Sequence, residues 1–338
     1  MPGSVQSEIR EGDDPMKLIV SHLEMLRTYI TREFYYVMTD LMSTYGWKHI
    51  EIHRLWNGAG TVRDKLMDEF GELPETILFW QAYEFLNAQA ADIRRLDSHK
   101  LFFADDLHWF NNEMRQEQLD SFAVCETILS TYAYALFEFY PELLGVKNVV
   151  WIPHAASPDF MLRYNEQPEN AIFLSGYVHH CYPLRQRVKA LHDTGSYPIV
   201  VQKHPGYGEF DFETSTRVGP GCARQMNSYR AAFTDASDYG YSVAKYFEIP
   251  ATGSLLLADR AISVLLRRIG FVEGVHYVGV SNEDLEEKLE YVLDKNNHHE
   301  LDEIRRKGQE LVWKKHKTSD RARLIDEICA VRGPRSRN

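Results

Sequence analysis

Lys245 and Glu248 stand three residues apart, a cation and a carboxylate that a helix would present on one face. A lysine can neutralise a diphosphate, and a carboxylate can accept hydrogen bonds from both hydroxyls of a ribose. By spacing alone the pair reads first as a surface ion pair worth about 0.3–0.5 kcal/mol. Its surroundings are less ordinary. Phe247-Glu248-Ile249-Pro250 runs through a small-residue turn, Ala251-Thr252-Gly253, into the apolar stretch Ser254-Leu255-Leu256-Leu257-Ala258-Asp259.

Other residues carry chemistry at the ends of strand-like runs. Gly176 follows residues 171–174 and opens a polar loop, where glycine allows a backbone to approach a phosphate closely or simply makes a turn. Lys203-His204-Pro205-Gly206 ends a further run, and its Lys-His-Pro triplet resembles one that polyol-phosphate and capsule-polymer transferases use for donor phosphates, which makes Lys203 and His204 candidates for that role. Asp105-Asp106-Leu107-His108-Trp109 follows residues 101–104. There Asp106 or His108 could take the proton from an acceptor hydroxyl; equally, Asp105 could cap a helix and His108 pack against Trp109. His22, at the end of the first strand, is a further base candidate, while Glu24 and Arg27 read as helix-surface residues. Tyr132-Ala133-Tyr134-Ala135-Leu136-Phe137 reads as core helix rather than a sugar platform. The adjacent pair His179-His180 cannot chelate from one helix face and has no acidic neighbour, so no metal is expected. The first strand lacks a G-x-G-x-x-G loop, which argues against a nicotinamide or flavin cofactor.

The elements that must position these groups alternate. Strand-like runs at 16–22, 48–53, 76–80, 101–104, 122–125 and 148–152 are separated by helical or polar sequence, including one long helix over 23–45. The rhythm restarts with runs at 171–174, 198–203, 231–234, 254–257 and 275–280, helices over 182–192 and 241–248, and a charged helical segment over 282–316. Strand–helix alternation predicts α/β architecture, with two parallel, Rossmann-like sheets. The boundary falls near 153–170, giving an N-terminal domain over 16–155, a C-terminal domain over 156–331, and disordered ends at 1–15 and 332–338. Ligands of such sheets sit beyond the carboxyl ends of the strands, so the active site is expected in the cleft between the domains.

Composition excludes several classes. The 338 residues are 44% apolar and 26% charged, ordinary for a globular core. A net charge of −11 argues against a nucleic-acid partner, whose affinity comes mainly from lysine and arginine. Four separated cysteines show no metal-type pairing. No run reaches the roughly 18–20 apolar residues of a membrane span, and the polar start is not a signal peptide, so the cytoplasm is expected.

The segment 245–259 resembles the donor-binding motif of glycosyltransferases with the B-type two-domain fold, and is especially similar to the CgeB-like and group 1 families. These share a basic residue, two positions, Phe-Glu, a small-residue turn with glycine, and a leucine-rich strand ending in Asp. The similarity extends over Ile152-Pro153-His154-Ala155, Phe173-Leu174-Ser175-Gly176, Tyr182-Pro183-Leu184-Arg185 and 279–289. The resemblance implies transfer of a sugar from a nucleoside-diphosphate sugar to an acceptor hydroxyl without a metal. Glu248 would hold the ribose and Lys245 the diphosphate, aided by backbone N–H groups at a helix N-terminus. Gly176, Arg185, Phe247 and Gly253 would complete the donor site, Tyr229-Arg230 and Asp235 would neighbour the donor's base, and residues 16–155 would form the acceptor domain and 156–331 the nucleotide-sugar domain. One position departs: the second glutamate of many group 1 transferases, eight positions before Glu248, is Gly240, with Asp238 a possible substitute. A nucleotide-sugar epimerase, a polyol-phosphate transferase or a non-catalytic nucleotide-sugar-binding relic would share the fold.

Overall fold

The computed structural model describes residues 15–330; apart from Pro15, the expectations of disordered ends lie outside the described residues. The first half forms a six-stranded sheet in the order β2-β1-β3-β4-β5-β6. Its strands are β1 (Lys17–Ser21), β2 (Lys48–Glu51), β3 (Thr76–Trp80), β4 (His99–Ala104), β5 (Thr127–Ser130) and β6 (Asn148–Trp151). The second half forms a five-stranded sheet in the order β11-β10-β9-β7-β8, from β7 (Glu169–Leu174), β8 (Ile199–Val201), β9 (Tyr229–Thr234), β10 (Leu255–Asp259) and β11 (Val278–Val280). Every pairing in both sheets is parallel.

Parallel sheets are covered on both faces, so their strands are apolar on both. All five residues of β3 are buried, for example. Ile77 and Phe79 pack into a core with Leu18 and Val20 on one face. Leu78 and Trp80 join Ile19 on the other, where Phe34, Val37 and Leu41 cover them. The second sheet has the same two-sided arrangement. No helix among the described residues is long and apolar enough to cross a membrane.

Four expected elements differ, among them the helix expected over 241–248, which starts only at Lys245 and runs to Ala251. Residues 122–125 are not a strand but the end of the helix Asn112–Val124, and the strand comes next, as β5. The apolar run there is the buried face of a helix, shared with Gln118 and Ser121. The helix expected over 23–45 is broken into Leu23–Thr28 and Glu33–Tyr45. The intervening backbone bonds to the other domain instead: Ile30 N donates to Gly208 O at 3.1 Å, and Phe210 N to Thr28 O at 2.6 Å. Residues 132–135 are a turn, and only Leu136–Phe139 is helical.

The last helix, Thr318–Ala330, falls within the range assigned to the C-terminal domain but packs on the N-terminal one. Ala322, Ile325 and Cys329 share a core with Val37, Met38 and Leu41, and Asp326 takes bonds from Lys17 and Trp47 at 2.6 and 2.8 Å. The chain therefore crosses between the domains twice. Arg321 ties the crossings together by donating to Pro153 O at 2.7 Å and His154 O at 2.9 Å.

Candidate active site

The cleft between the two sheets is lined from the C-terminal domain by Gly176, Arg185, His204, Lys245 and Glu248. Gly176 leaves β7 with φ +103°, in the region that favours glycine. A Cβ there would lie 3.0 Å from Arg185 Nη1 and 3.1 Å from Lys245 Cε, so two cations are packed over its bare backbone. Gly176→Ala is expected to displace them and weaken nucleotide binding by about tenfold, roughly 1.4 kcal/mol. Titration calorimetry checks this, and unchanged affinity would mean the two cations do not meet the nucleotide.

Arg185 is 3% exposed and rigidly held. Its Nη2 lies 2.9 Å from Asp235 Oδ1, its backbone N donates to Asp235 Oδ2 at 2.8 Å, and Nη1 donates to Tyr177 O at 2.8 Å. Lys245 opens the helix Lys245–Ala251, and its Nζ lies 3.5 Å from Glu248 Oε2. Glu248 is buried, and burial raises its pKa against the opposing pull of Lys245. The pair is thus a cleft wall, not a surface contact. At His204, Gly206 N donates to Nδ1 at 3.1 Å. Burial, then the charges of Lys245 and Arg185, lower its pKa. Both effects favour a neutral ring with Nε2–H left to donate.

Other sequence candidates lie elsewhere. Lys203 is exposed and lies outside this lining, because alternate residues leaving β8 point apart. Phe247 is fully buried against Phe271 and His316, behind the site. Gly253 is at the far end of the helix from Lys245, where its carbonyl accepts from Arg305 Nε at 3.0 Å. Tyr229 and Arg230 begin β9, opposite the cleft end, and Arg230 pairs with Asp302 at 2.6 Å. Asp238 is exposed and outside the lining.

The N-terminal domain contributes a buried polar cluster at the ends of β4, β5 and β6, for whose members the sequence suggested other places: Asp105 as a helix cap, Tyr132 in a core helix and His154 in the hinge segment. His154 Nδ1 lies 2.8 Å from Glu33 Oε2, and its Nε2 lies 2.9 Å from the Tyr132 hydroxyl and 3.5 Å from Asp105 Oδ1. Glu33 Oε1 also accepts from Ala155 N at 2.7 Å. Burial works against charging His154, but the Glu33 carboxylate, with Asp105 and Asp106 behind it, outweighs that and raises its pKa to about 9. Asp105 caps no helix: Thr131 Oγ1 donates to its Oδ1 at 2.7 Å. Burial raises its pKa, against His154 and that hydrogen bond.

Asp106 and His108 lie at the mouth, outside this lining. The Asp106 side chain is 63% exposed. Protein crowding around it and the adjacent Asp105 charge move its pKa up to about 6. His108 does not pack on Trp109 but stacks on Tyr239 of the other domain, rings 4.7 Å apart and 9° from parallel. Tyr241 stacks on Tyr132 at 3.8 Å, and its hydroxyl accepts from Leu107 N and His108 N. The loop 236–244 is therefore fastened into the N-terminal domain, with Gly240 at φ +67° as its bend. His22 does not line this cleft but a second pocket, beyond β1.

A second fastening spans the cleft mouth. Arg32 forks onto Asp159 with bonds of 2.9 and 2.5 Å, Tyr36 adds a third at 3.1 Å, and the guanidinium stacks on Phe212 at 4.0 Å.

Comparisons with known proteins agree with this arrangement. Residues 202–327 match the family described as glycosyl transferase-like. No curated protein matches the chain in sequence. Among solved structures, an alpha-glucosyltransferase in complex with UDP-glucose and DNA containing an abasic site superposes with a TM-score of 0.62, at 9% identity over 93% of this chain and 99% of that one. A glycosyltransferase from Rickettsia africae gives 0.60, at 9% identity over 95% and 100%. HepE from Anabaena, in complex with UDP and glucose, gives 0.58, at 8% identity over 94% and 100%. Such low identities establish the fold, and the sequence match falls on the half that carries Lys245 and Glu248. The chain has the B-type, two-domain fold of glycosyltransferases, and its residues 202–327 are similar to the glycosyl transferase-like family.

Proposed function

We propose that the protein moves a sugar from a nucleoside-diphosphate sugar to an acceptor hydroxyl, with its own cations in place of a metal. The observation that carries this reading is the convergence of Arg185 and Lys245 on Gly176, beside a buried Glu248 and facing Asp105 across the cleft. The diphosphate lies against Gly176 between the two cations, with the Nε2–H of His204 as a further donor. Glu248 accepts from the ribose hydroxyls. Because these donors are fixed before reaction, they stabilise the negative charge that grows on the leaving diphosphate.

Asp105 takes the proton. The acceptor oxygen forms its bond to the anomeric carbon as the bond from that carbon to the phosphate oxygen breaks. The electron pair leaves with the nucleoside diphosphate, and the acceptor's proton goes to the Asp105 carboxylate. A carboxyl raised above its usual range by burial is the better base for this task. This assignment replaces Asp106 and His108, which lie at the mouth, and His22. Uracil is the first base to try, since two structurally similar glycosyltransferases hold UDP or UDP-glucose. The net charge of −11 supports an acceptor other than a nucleic acid. The cytoplasm fits the free, dispersed cysteines.

The test is the nucleotide product. Incubation with nucleotide sugars in the presence of EDTA should release a nucleoside diphosphate. Release of a monophosphate would indicate a polyol-phosphate transferase, and sugar conversion without release an epimerase. Glu248→Ala should cost about 1.5–3 kcal/mol of nucleotide affinity, on the order of 10- to 100-fold. Calorimetry would contradict the assignment if the variant bound as tightly as the wild type.

A further inference from the structure

A second pocket, of about 630 Å³, opens on the N-terminal domain beyond the ends of β2, β1 and β3. This volume is within the range of small-molecule sites. The donor cleft faces the other half of the same sheet edge, where Asp105, Tyr132 and His154 follow β4, β5 and β6. The two linings share no residue, but β3 pairs with β4 and Gln81 N donates to Phe103 O at 3.1 Å, so the second pocket reaches to within two residues of Asp105 on the neighbouring strand.

The lining has two parts. Trp56, 38% exposed, presents an aromatic surface beside Phe85, their rings 5.8 Å apart. Around it stand His22, His53, Asn57, Gln81, Glu84 and Glu117. None of these six side chains has a hydrogen bond or ion pair among the described residues, whereas Arg185, Glu248, Asp105 and His154 of the donor cleft are all engaged. One of the six is held in a strained backbone: Gln81, directly after β3, has φ +51°. Such outliers cost on the order of 1–3 kcal/mol and cluster at functional sites. Here the strained turn sets Gln81 into the pocket.

A flat aromatic face ringed by unengaged planar polar groups suits a molecule with apolar C–H faces and hydroxyls around its rim. We propose that this pocket binds the acceptor as a saccharide, and that the saccharide is neutral or amino-bearing. Glu84 and Glu117 would repel a phosphate or carboxylate, and the pocket contains no lysine or arginine to offset them. The inference rests on the glycosyl-transfer reading, because it needs a second substrate next to the donor. It would also give His22 a role in acceptor binding in place of the proton transfer expected from sequence.

Saturation-transfer NMR on the full chain tests it. The probes are neutral disaccharides of glucose and N-acetylglucosamine, a glucosamine disaccharide, and glucose 6-phosphate. The wild type should transfer saturation to at least one neutral or amino disaccharide and not to the phosphate. Trp56→Ala and Gln81→Ala should each reduce that signal at least fivefold while leaving nucleoside-diphosphate affinity within twofold. The inference is overturned if no disaccharide in the panel binds, if the phosphate binds instead, or if both variants retain the wild-type signal. Loss of nucleotide binding by the wild type would instead contradict the donor site, so the two failures are distinguishable.

Discussion

Asp105→Asn is expected to lower kcat by about 10²- to 10⁴-fold, the usual contribution of a positioned proton acceptor, while nucleotide affinity stays within about twofold. The substitution is nearly isosteric. Asn keeps an oxygen to accept from Thr131, so the hydrogen bond now 2.7 Å long survives. What disappears is the basic carboxylate in the cleft. His154 loses its neighbour at 3.5 Å but keeps Glu33 at 2.8 Å, so the floor of the site stays assembled. Asp106→Asn is the matched comparison: its side chain faces open solvent at the mouth, and a change below about fivefold is expected. Steady-state kinetics on both variants, with donor and acceptor varied separately, reads the outcome. A larger loss for Asp106→Asn than for Asp105→Asn would return the proton transfer to the mouth of the cleft.

His154→Ala carries the largest expected effect on stability, about 3–5 kcal/mol, because it leaves the Glu33 carboxylate buried without its cation. Glu33 is 3% exposed and His154 6%, so water cannot readily replace the lost partner. Truncation also removes the ring that joins the helix Glu33–Tyr45 to the end of β6 and stacks on Phe34 at 5.9 Å. The same pair makes stability depend on pH with a definite sign. His154 has a folded pKa of about 9 against about 6.5 when unfolded, so the folded state binds its proton more tightly. Its contribution is complete below about pH 6.5 and is lost as pH rises towards 9. Thermal unfolding between pH 6.5 and 9.5 should therefore show Tm falling for the wild type, with a shallower fall for His154→Gln. Parallel curves would mean that the histidine is neutral throughout.

The two sheets were legible because parallel strands buried on both faces are short, continuous apolar runs, and ten of the eleven expected runs coincide with strands. The exception, 122–125, shows the limit of that signal: a short apolar run is the same whether it is a strand or the inner face of a helix. The break at 29–32 was not legible, because those residues leave the helix to bond residues 208–210, far away in sequence. The cleft lining was readable where chemistry sat on one element, as with Lys245 and Glu248, or where a strand end met glycine, as at Gly176. Phe247 and Gly253 belonged to the same motif, yet a helix turns them away from the face that Glu248 presents. The His154–Glu33–Asp105 cluster was hidden for a different reason. Its members come from the start of a helix and the ends of two strands, and only the fold brings them within 3.5 Å. The one available signal was chemical, a histidine in an apolar hinge segment, Ile152-Pro153-His154-Ala155, where a polar residue needs a buried partner.

Gly240 takes on a different meaning in the structure. Instead of a carboxylate reaching the donor, this position supplies the bend that lets Tyr239 and Tyr241 stack on His108 and Tyr132 across the domains. The carboxylate that lines the cleft from the N-terminal domain, opposite Lys245 and Glu248, is Asp105.

Binding of nucleoside diphosphates to wild type and Lys245→Ala, by titration calorimetry in EDTA, tests the central claim most directly. One diphosphate of the UDP, GDP, ADP, CDP and TDP set should bind the wild type without added metal, and at least tenfold more weakly to Lys245→Ala, the loss of a charge-assisted contact worth about 1.5–3 kcal/mol. Equal affinity in the two proteins, or no binding of any diphosphate by the wild type, would contradict a donor site built on Arg185, Lys245 and Glu248.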